Sequence, residues 1–290
     1  MPNEKNTNLK AVVFLALGIV CIGFSAIFVK AAGVPGMVSA FYRSLIAGAV
    51  VVPWWLIKRK PMPGMEELKW IITGGVFFAI DLIFWNASLL LTTAATATLL
   101  ANNAPIWVGL GAMLLFKEKL TYKYWAGLVI ALFGMSVLLG FDSIRDLNFN
   151  TGDLLALTAS LFYAVYLLTT QKARTGTDTI SFMSVSTIST VFVLLAINII
   201  SGSALTGFSM KTWAALFGLG LISHLGGWLL INYALGHMKA SSVSVSLLSQ
   251  AVVTALLAIP FLGEIPAMHQ IAGGILILLG IYFVNRGEGH

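Results

Sequence analysis

Ten stretches of this chain, each about 18 residues or longer and nearly free of charge, are long enough to cross a hydrocarbon core of about 30 Å as helices. They cover roughly residues 9–32, 37–57, 68–91, 94–116, 122–140, 152–171, 180–200, 211–235, 240–261 and 269–286. In lipid the backbone finds no outside hydrogen-bonding partner, so such segments satisfy their own amides by coiling. The composition agrees: 58% of residues are apolar, only 10% are charged, and the mean hydropathy is +0.92. A water-soluble fold cannot hide this much hydrocarbon. The sequence therefore predicts an all-α integral membrane protein of ten transmembrane helices, multi-pass in a cell (cytoplasmic or inner) membrane, with the bilayer as a partner.

The chain also repeats itself. Asn86, Ala94, Glu118, Gly127 and Gly134 recur 146 residues later as Asn232, Ala240, Glu264, Gly273 and Gly280, without a gap. Five spans fall in each copy, 1–146 and 147–290, and an odd number turns the second copy upside down in the bilayer. The expected arrangement is one intertwined membrane domain of two inverted five-helix repeats enclosing a site near the midplane.

Charge placement bears on orientation, because cytoplasmic loops collect Lys and Arg. With both termini inside, Lys5, Lys10, Lys58, Arg59, Lys60, Lys69, Lys117, Lys119, Lys123, Lys172, Arg174, Lys239 and Arg286 are cytoplasmic, while Lys30, Arg145 and Lys211 lie outside. An N-in, C-in orientation follows. The net charge of +6 is thus spread over short loops, which argues against a nucleic-acid partner. The first apolar run is too long for the core of a signal peptide, and its loss would spoil the inversion. Cys21, the only cysteine, can form no internal disulfide. The segment Phe141 to Gly152, with Asp142, Arg145, Asp146 and Asn148, reads as an external linker between the copies.

The segment Ala94 to Leu139, with Pro105, Glu118, Gly127 and Gly134, and its echo Ala240 to Leu279, with Glu264, Gly273 and Gly280, resembles the EamA repeat of the drug/metabolite transporter superfamily. Gly23, Lys30 and Arg43 also sit where members commonly place such residues. The resemblance spans essentially the whole chain and implies ten helices in two inverted repeats, and usually an exporter of small organic metabolites such as amino acids. Two departures put symmetric roles for Pro105 and Arg43 in doubt: Ala251 stands in place of Pro105, and the seventh span has no counterpart of Arg43.

The repeated glutamates and glycines read as structural. Glu118 and Glu264 end the fourth and ninth spans, where a carboxylate favours the positive start of the next helix. Thr121 is a candidate N-cap and Pro266 suits a first turn. The paired glycines, seven residues apart, fall on one helix face and allow close helix approach.

Charged side chains within spans cost about 2.5–3.5 kcal/mol on insertion scales, so each needs a reason. Asp81, thirteen residues after Leu68, is the leading candidate. It can act as a neutral donor, a proton carrier or an ionised partner for an ammonium group; a hydrogen-bonded structural aspartate is the alternative. Gly74, Phe77, Phe78 and Trp85 share its helical face. The 146-residue offset maps Phe78 onto His224 and Asp81 onto Gly227, with Trp228 adjacent, so the equivalent helix of the second copy offers an imidazole, a gap and another aromatic. Tyr163, Tyr166, Asn102, Asn103, Ser244 and Ser249 complete the candidate substrate-binding set. Lys30 and Arg43 are candidate gate residues at the outer side, or snorkel toward it.

No cluster of Lys and Arg lies at midplane depth, which argues against phosphate esters, since those anions need several cations. The spans carry no metal-ligand spacing and no HExxH or Ser/His/Asp grouping, so no metal, no cofactor and no enzyme activity is expected. An intramembrane enzyme acting on lipids would need more acid/base groups than Asp81 and His224. The expected function is a secondary transporter of small neutral or zwitterionic metabolites, most plausibly amino-acid export by alternating access around a central cavity, in a monomer or homodimer. The alternative is efflux of hydrophobic or quaternary-ammonium cations, with the aromatic faces supplying cation–π attraction.

Overall fold

A computed structural model describes residues 4–140, 150–263 and 265–287. The linker residues Asp142, Arg145, Asp146 and Asn148, and the repeated Glu264, lie outside the described residues. Ten helical spans are long and apolar enough to cross a membrane: α1 (Leu9–Ala32), α2 (Gly36–Ile57), α3 (Met65–Ser88), α4 (Ala94–Leu115), α5 (Tyr122–Leu139), α6 (Thr151–Arg174), α7 (Thr179–Ile200), α8 (Met210–Leu235), α9 (Ala240–Phe261) and α10 (Met268–Arg286). Two of the bounds that differ from the apolar runs have an electrostatic reason. α3 starts three residues earlier because Glu66 and Glu67 suit the positive end of a helix. α6 runs on to Arg174 because Lys172 and Arg174 suit the negative end.

The chain divides into two compact units, each drawing on both sequence copies: residues Met1–Ile83 with Thr169–Met238, and Phe84–Leu168 with Lys239–His290. The first therefore contains α1, α2, α7, α8 and most of α3. The second contains α4, α5, α9, α10 and most of α6.

In the first unit, α7 is tied to its neighbours by a polar stripe. Its cap, Asp178, accepts from the backbone amides of Ile180 (3.1 Å) and Ser181 (3.4 Å). Along its length Ser181 donates to Pro61 O (3.2 Å), Ser184 to Val51 O (3.2 Å), Thr190 to Gly75 O (2.9 Å) and Asn198 to Met37 O (3.2 Å). A carbonyl already in a helical bond has a second lone pair, so the donors of Ser184, Thr190 and Asn198 are engaged without breaking α2 or α3, while Ser181 reaches the loop between them. In α8 the regular helix gives way to a π-helical stretch, Leu219–Gly227.

The second unit is built on the antiparallel pair α5 and α10. Gly127 meets Gly280, and Gly134 meets Gly273. A Cβ added to Gly127 would stand 2.6 Å from Gly280 O, and one added to Gly134 would stand 2.9 Å from Gly273 O. The two backbones touch, as the spacing of the glycines leads one to expect. Shifting the first contact by 146 residues gives the second, so the seam maps onto itself. Tyr124, Leu128, Ala131, Met135, Ile277 and Val284 form the buried core around it.

Two other features of this unit recur at the same offset. α4 breaks at Asn102–Asn103, between helices Ala94–Ala101 and Ala104–Leu115. α9 breaks at Leu248–Ser249, between Ala240–Leu247 and Gln250–Leu262. Just past these spans the backbone enters the left-handed region at Lys117 (φ 55°) and at Gly263 (φ 69°), again equivalent positions. Only the second carries the residue that tolerates this conformation without steric cost.

The carboxylate of Glu118 has a partner in the second sequence copy. It accepts from Ser241 Oγ at 2.7 Å, at the start of α9. Thr121 occupies the N-cap of α5 without a side-chain bond. Pro266 lies just ahead of α10, where Gln270 Oε1 accepts from Ala267 N at 2.8 Å.

Two stability predictions follow from this geometry. Gly134→Leu drives a side chain into the α10 backbone and lowers stability by about 1–3 kcal/mol or prevents folding, whereas Gly274→Ala, which meets only Val252 side-chain atoms at 3.5 Å, behaves like the wild type in thermal unfolding followed by tryptophan fluorescence. In the same assay Gly263→Ala costs about 1 kcal/mol, while Lys117→Gly raises stability by up to about 1 kcal/mol.

Candidate functional site

The first unit brings five of the candidate residues together. Phe78, one turn before Asp81 on α3, is buried, with its ring 6.0 Å from that of His224 and 5.0 Å from that of Trp228, edge-on to the latter. Phe78 and His224, equivalent in the two copies, therefore face each other. His224 lies in the π-helical stretch of α8 and is 3% exposed. Arg43 reaches from α2 and donates from Nε to His224 Nδ1 at 3.3 Å. Its charge also acts on Asp81.

Depth arithmetic places these charges together. Arg43 is seven residues from Gly36, the start of α2, and Asp81 is seven residues from Ser88, the end of α3. In alternating spans those two ends lie at the same face, so at 1.5 Å per residue both groups sit about 10 Å below it. Asp81 is only partly buried, and no described residue hydrogen-bonds to its carboxyl. An acid at this depth with part of its surface open and no protein partner is available to a ligand. Phe77, half-buried on the same helix, flanks it. Lys30 is exposed in the last turn of α1.

The second unit holds the remaining candidates. Tyr163 and Tyr166 of α6 stack with ring centroids 6.4 Å apart. Trp85, in the last turns of α3, is half-buried. Asn102 and Asn103 occupy the break of α4, where Asn102 Nδ2 donates to Thr98 O (2.7 Å) and Asn103 Nδ2 to Leu99 O (3.0 Å) and Leu100 O (3.1 Å). Ser249, at the break of α9, donates to Ser246 O (2.7 Å), and buried Ser244 to Ser241 O (2.9 Å). The hydroxyls and amides thus serve carbonyls of their own helices. The Asn side-chain oxygens are the groups at these breaks with acceptor capacity for a ligand.

Sequence reasoning did not find the bond from Arg43 to His224 or the π-helical stretch that presents His224. The available signal was the pairing of a mid-span Arg with a mid-span His, both costly in lipid and each a natural solution for the other. Nor did it find Trp107, whose Nε1 donates to Ser160 Oγ at 2.9 Å and ties α4 to α6 within the second unit. Among the described residues no group of three or more His, Cys, Asp or Glu is placed to hold a metal.

Known proteins of this build transport small molecules. The chain is 26% identical over 290 residues to a transporter of Archaeoglobus fulgidus, covering 97% of this chain and 99% of that one. It is 25% identical over 260 residues to the pseudopaline exporter of Pseudomonas aeruginosa, covering 88% of each. It is 27% identical over 196 residues to a probable terminal-alkyne amino-acid exporter of Streptantibioticus cattleyicolor, covering 67% of this chain and 64% of that protein. A crystal structure shares its fold with a TM-score of 0.78 at 20% identity, covering 96% of this chain and 99% of the other. The model of the EamA-like transporter family matches residues 9–140 and again 150–286. A ten-span chain matched by that model through both of its halves is a membrane-embedded transporter, and it belongs to the EamA-like transporter family.

Proposed function

We propose that this transporter exports small zwitterionic metabolites of the amino-acid class across the cell membrane by alternating access. The observation that carries the reading is the partly open, unpartnered Asp81 at the same depth as Arg43. A carboxylate and a guanidinium at the same depth, the charge of one acting on the other, suit a molecule that carries both an ammonium and a carboxylate group. Phe78 and Trp228, packed edge to face beside them, supply apolar surface for the rest of the molecule. The names of two similar proteins, one an amino-acid exporter and the other a pseudopaline exporter, point in the same direction. Arg43 weighs against a lone cation, which its charge would repel.

Inverted repeats with both termini in the cytoplasm are part of this reading. The self-mapping glycine seam and the equivalent breaks of α4 and α9 support the repeat, and the distribution of Lys and Arg supports the orientation. Interrupted helices at corresponding places in two halves are where such transporters put their irregular backbone.

The test is efflux from liposomes loaded with radiolabelled amino acids, with and without an imposed proton gradient. Protein-dependent amino-acid efflux is expected, and Asp81→Asn lowers it at least about tenfold while insertion and the size-exclusion profile stay unchanged. Unaltered flux in that variant removes Asp81 from the mechanism. No amino-acid flux from the wild type, with flux of a quaternary ammonium compound instead, overturns the substrate class.

A further inference from the structure

We infer that His224 is the hydrogen-bond donor that selects a substrate carboxylate, and that Arg43 acts through it as a positioning residue that fixes its tautomer. This rests on the reading of the Asp81 cluster as the substrate site. A guanidinium has only N–H donors. Because Arg43 Nε points at His224 Nδ1 at 3.3 Å, that nitrogen is the acceptor and carries no proton. The ring is then neutral, with its single proton on Nε2. The imidazole is 3% exposed, and no hydrogen bond from a described residue engages its other ring nitrogen. An N–H that no described residue engages, on a ring held in place at its other nitrogen, is free to donate to a ligand acceptor.

The surroundings specify which acceptor. The guanidinium behind the ring polarises the imidazole toward donation and favours an anionic partner. One guanidinium without a cluster of further cations suits a carboxylate better than a phosphate. Phe78, 6.0 Å away from the ring centroid, walls one side with an aromatic surface and leaves no competing polar partner there. The π-helical stretch Leu219–Gly227 is the local device that sets the ring. Such insertions re-aim a side chain by a fraction of a turn and recur at functional sites. The carboxylate of an amino acid thus meets a neutral donor, and Asp81 is left for its ammonium group.

Two measurements on the intact protein test this. The chain has four histidines, so a His237→Gln, His269→Gln, His290→Gln variant isolates His224 for nitrogen-15 NMR. The expected spectrum has an unprotonated Nδ1 and a protonated Nε2, and Arg43→Gln redistributes the tautomers. The second measurement is calorimetric binding of L-leucine and of isopentylamine, its counterpart without the carboxylate. His224→Phe weakens L-leucine about tenfold and leaves isopentylamine unchanged, whereas His224→Gln, which offers an N–H near the Nε2 position, recovers most of the affinity. Arg43→Gln weakens L-leucine in the wild type and adds less than about twofold in the His224→Phe background, the non-additivity of residues acting through one another. An Arg43→Gln loss that is undiminished in that background means the guanidinium touches substrate directly and overturns the positioning role, as does a spectrum with the proton on Nδ1. Failure of the wild type to bind L-leucine while the spectrum is as expected overturns the transport reading and the carboxylate assignment, yet leaves the Arg43–His224 tautomer lock established.

Discussion

The structure depends on one constraint: polar groups inside a bilayer have to find partners within the protein. Most of its non-obvious features follow. The stripe of Ser181, Ser184, Thr190 and Asn198 ties α7 to carbonyls of α2, of α3 and of the loop between them. At the break of α4 the side chains of Asn102 and Asn103 donate to carbonyls of the preceding turn, and Tyr124 donates to Pro105 O at 3.0 Å. Glu118 answers a hydroxyl at the start of α9. The carboxyl of Asp81 receives no hydrogen bond from a described residue, and an acid left so within a span is costly enough to ask for a function.

The same constraint decides what can be read from the sequence. The ten spans were legible because hydropathy and length alone determine whether a segment crosses a membrane, and the TM bounds depart from the apolar runs mainly where terminal charges extend a helix. The α5–α10 seam was legible in part because glycines at heptad spacing have few uses in a span other than close approach. The partner of each glycine was not, since spacing describes one helix and says nothing of its neighbour. Arg43 shows the limit most clearly. A long side chain six or seven residues inside a span can turn outward to the interface or inward to a partner, and only the fold reveals His224 within reach. The π-helical stretch carries no periodicity signal, because one extra residue in a turn leaves apolar composition untouched. The contact between the rings of Phe78 and His224 was likewise not legible, since the repeat offset marks the two as equivalent positions and not as neighbours.

Site chemistry and fold are economically joined in the first unit. Arg43 and His224 are each expensive in lipid, and one hydrogen bond between them meets part of the demand of both. The helix that carries His224 is also the one whose regular coil is interrupted, so local irregularity sits where chemistry is concentrated. In the second unit the interruptions at Asn102–Asn103 and Leu248–Ser249 play a different part: they end one helical dipole and begin another within the depth of the membrane.

The glycine seam has a mechanical meaning. Where Gly127, Gly134, Gly273 and Gly280 meet, main-chain atoms of the two helices touch directly, so at these points no rotamer can flip to let one slide past the other. The backbones have a single distance of approach, set by contact between main-chain atoms. Side-chain interfaces can creep by repacking; this one has nothing to repack. α5 and α10 are consequently a double-width beam within their unit, and any tilt imposed on one is delivered undiminished to the other.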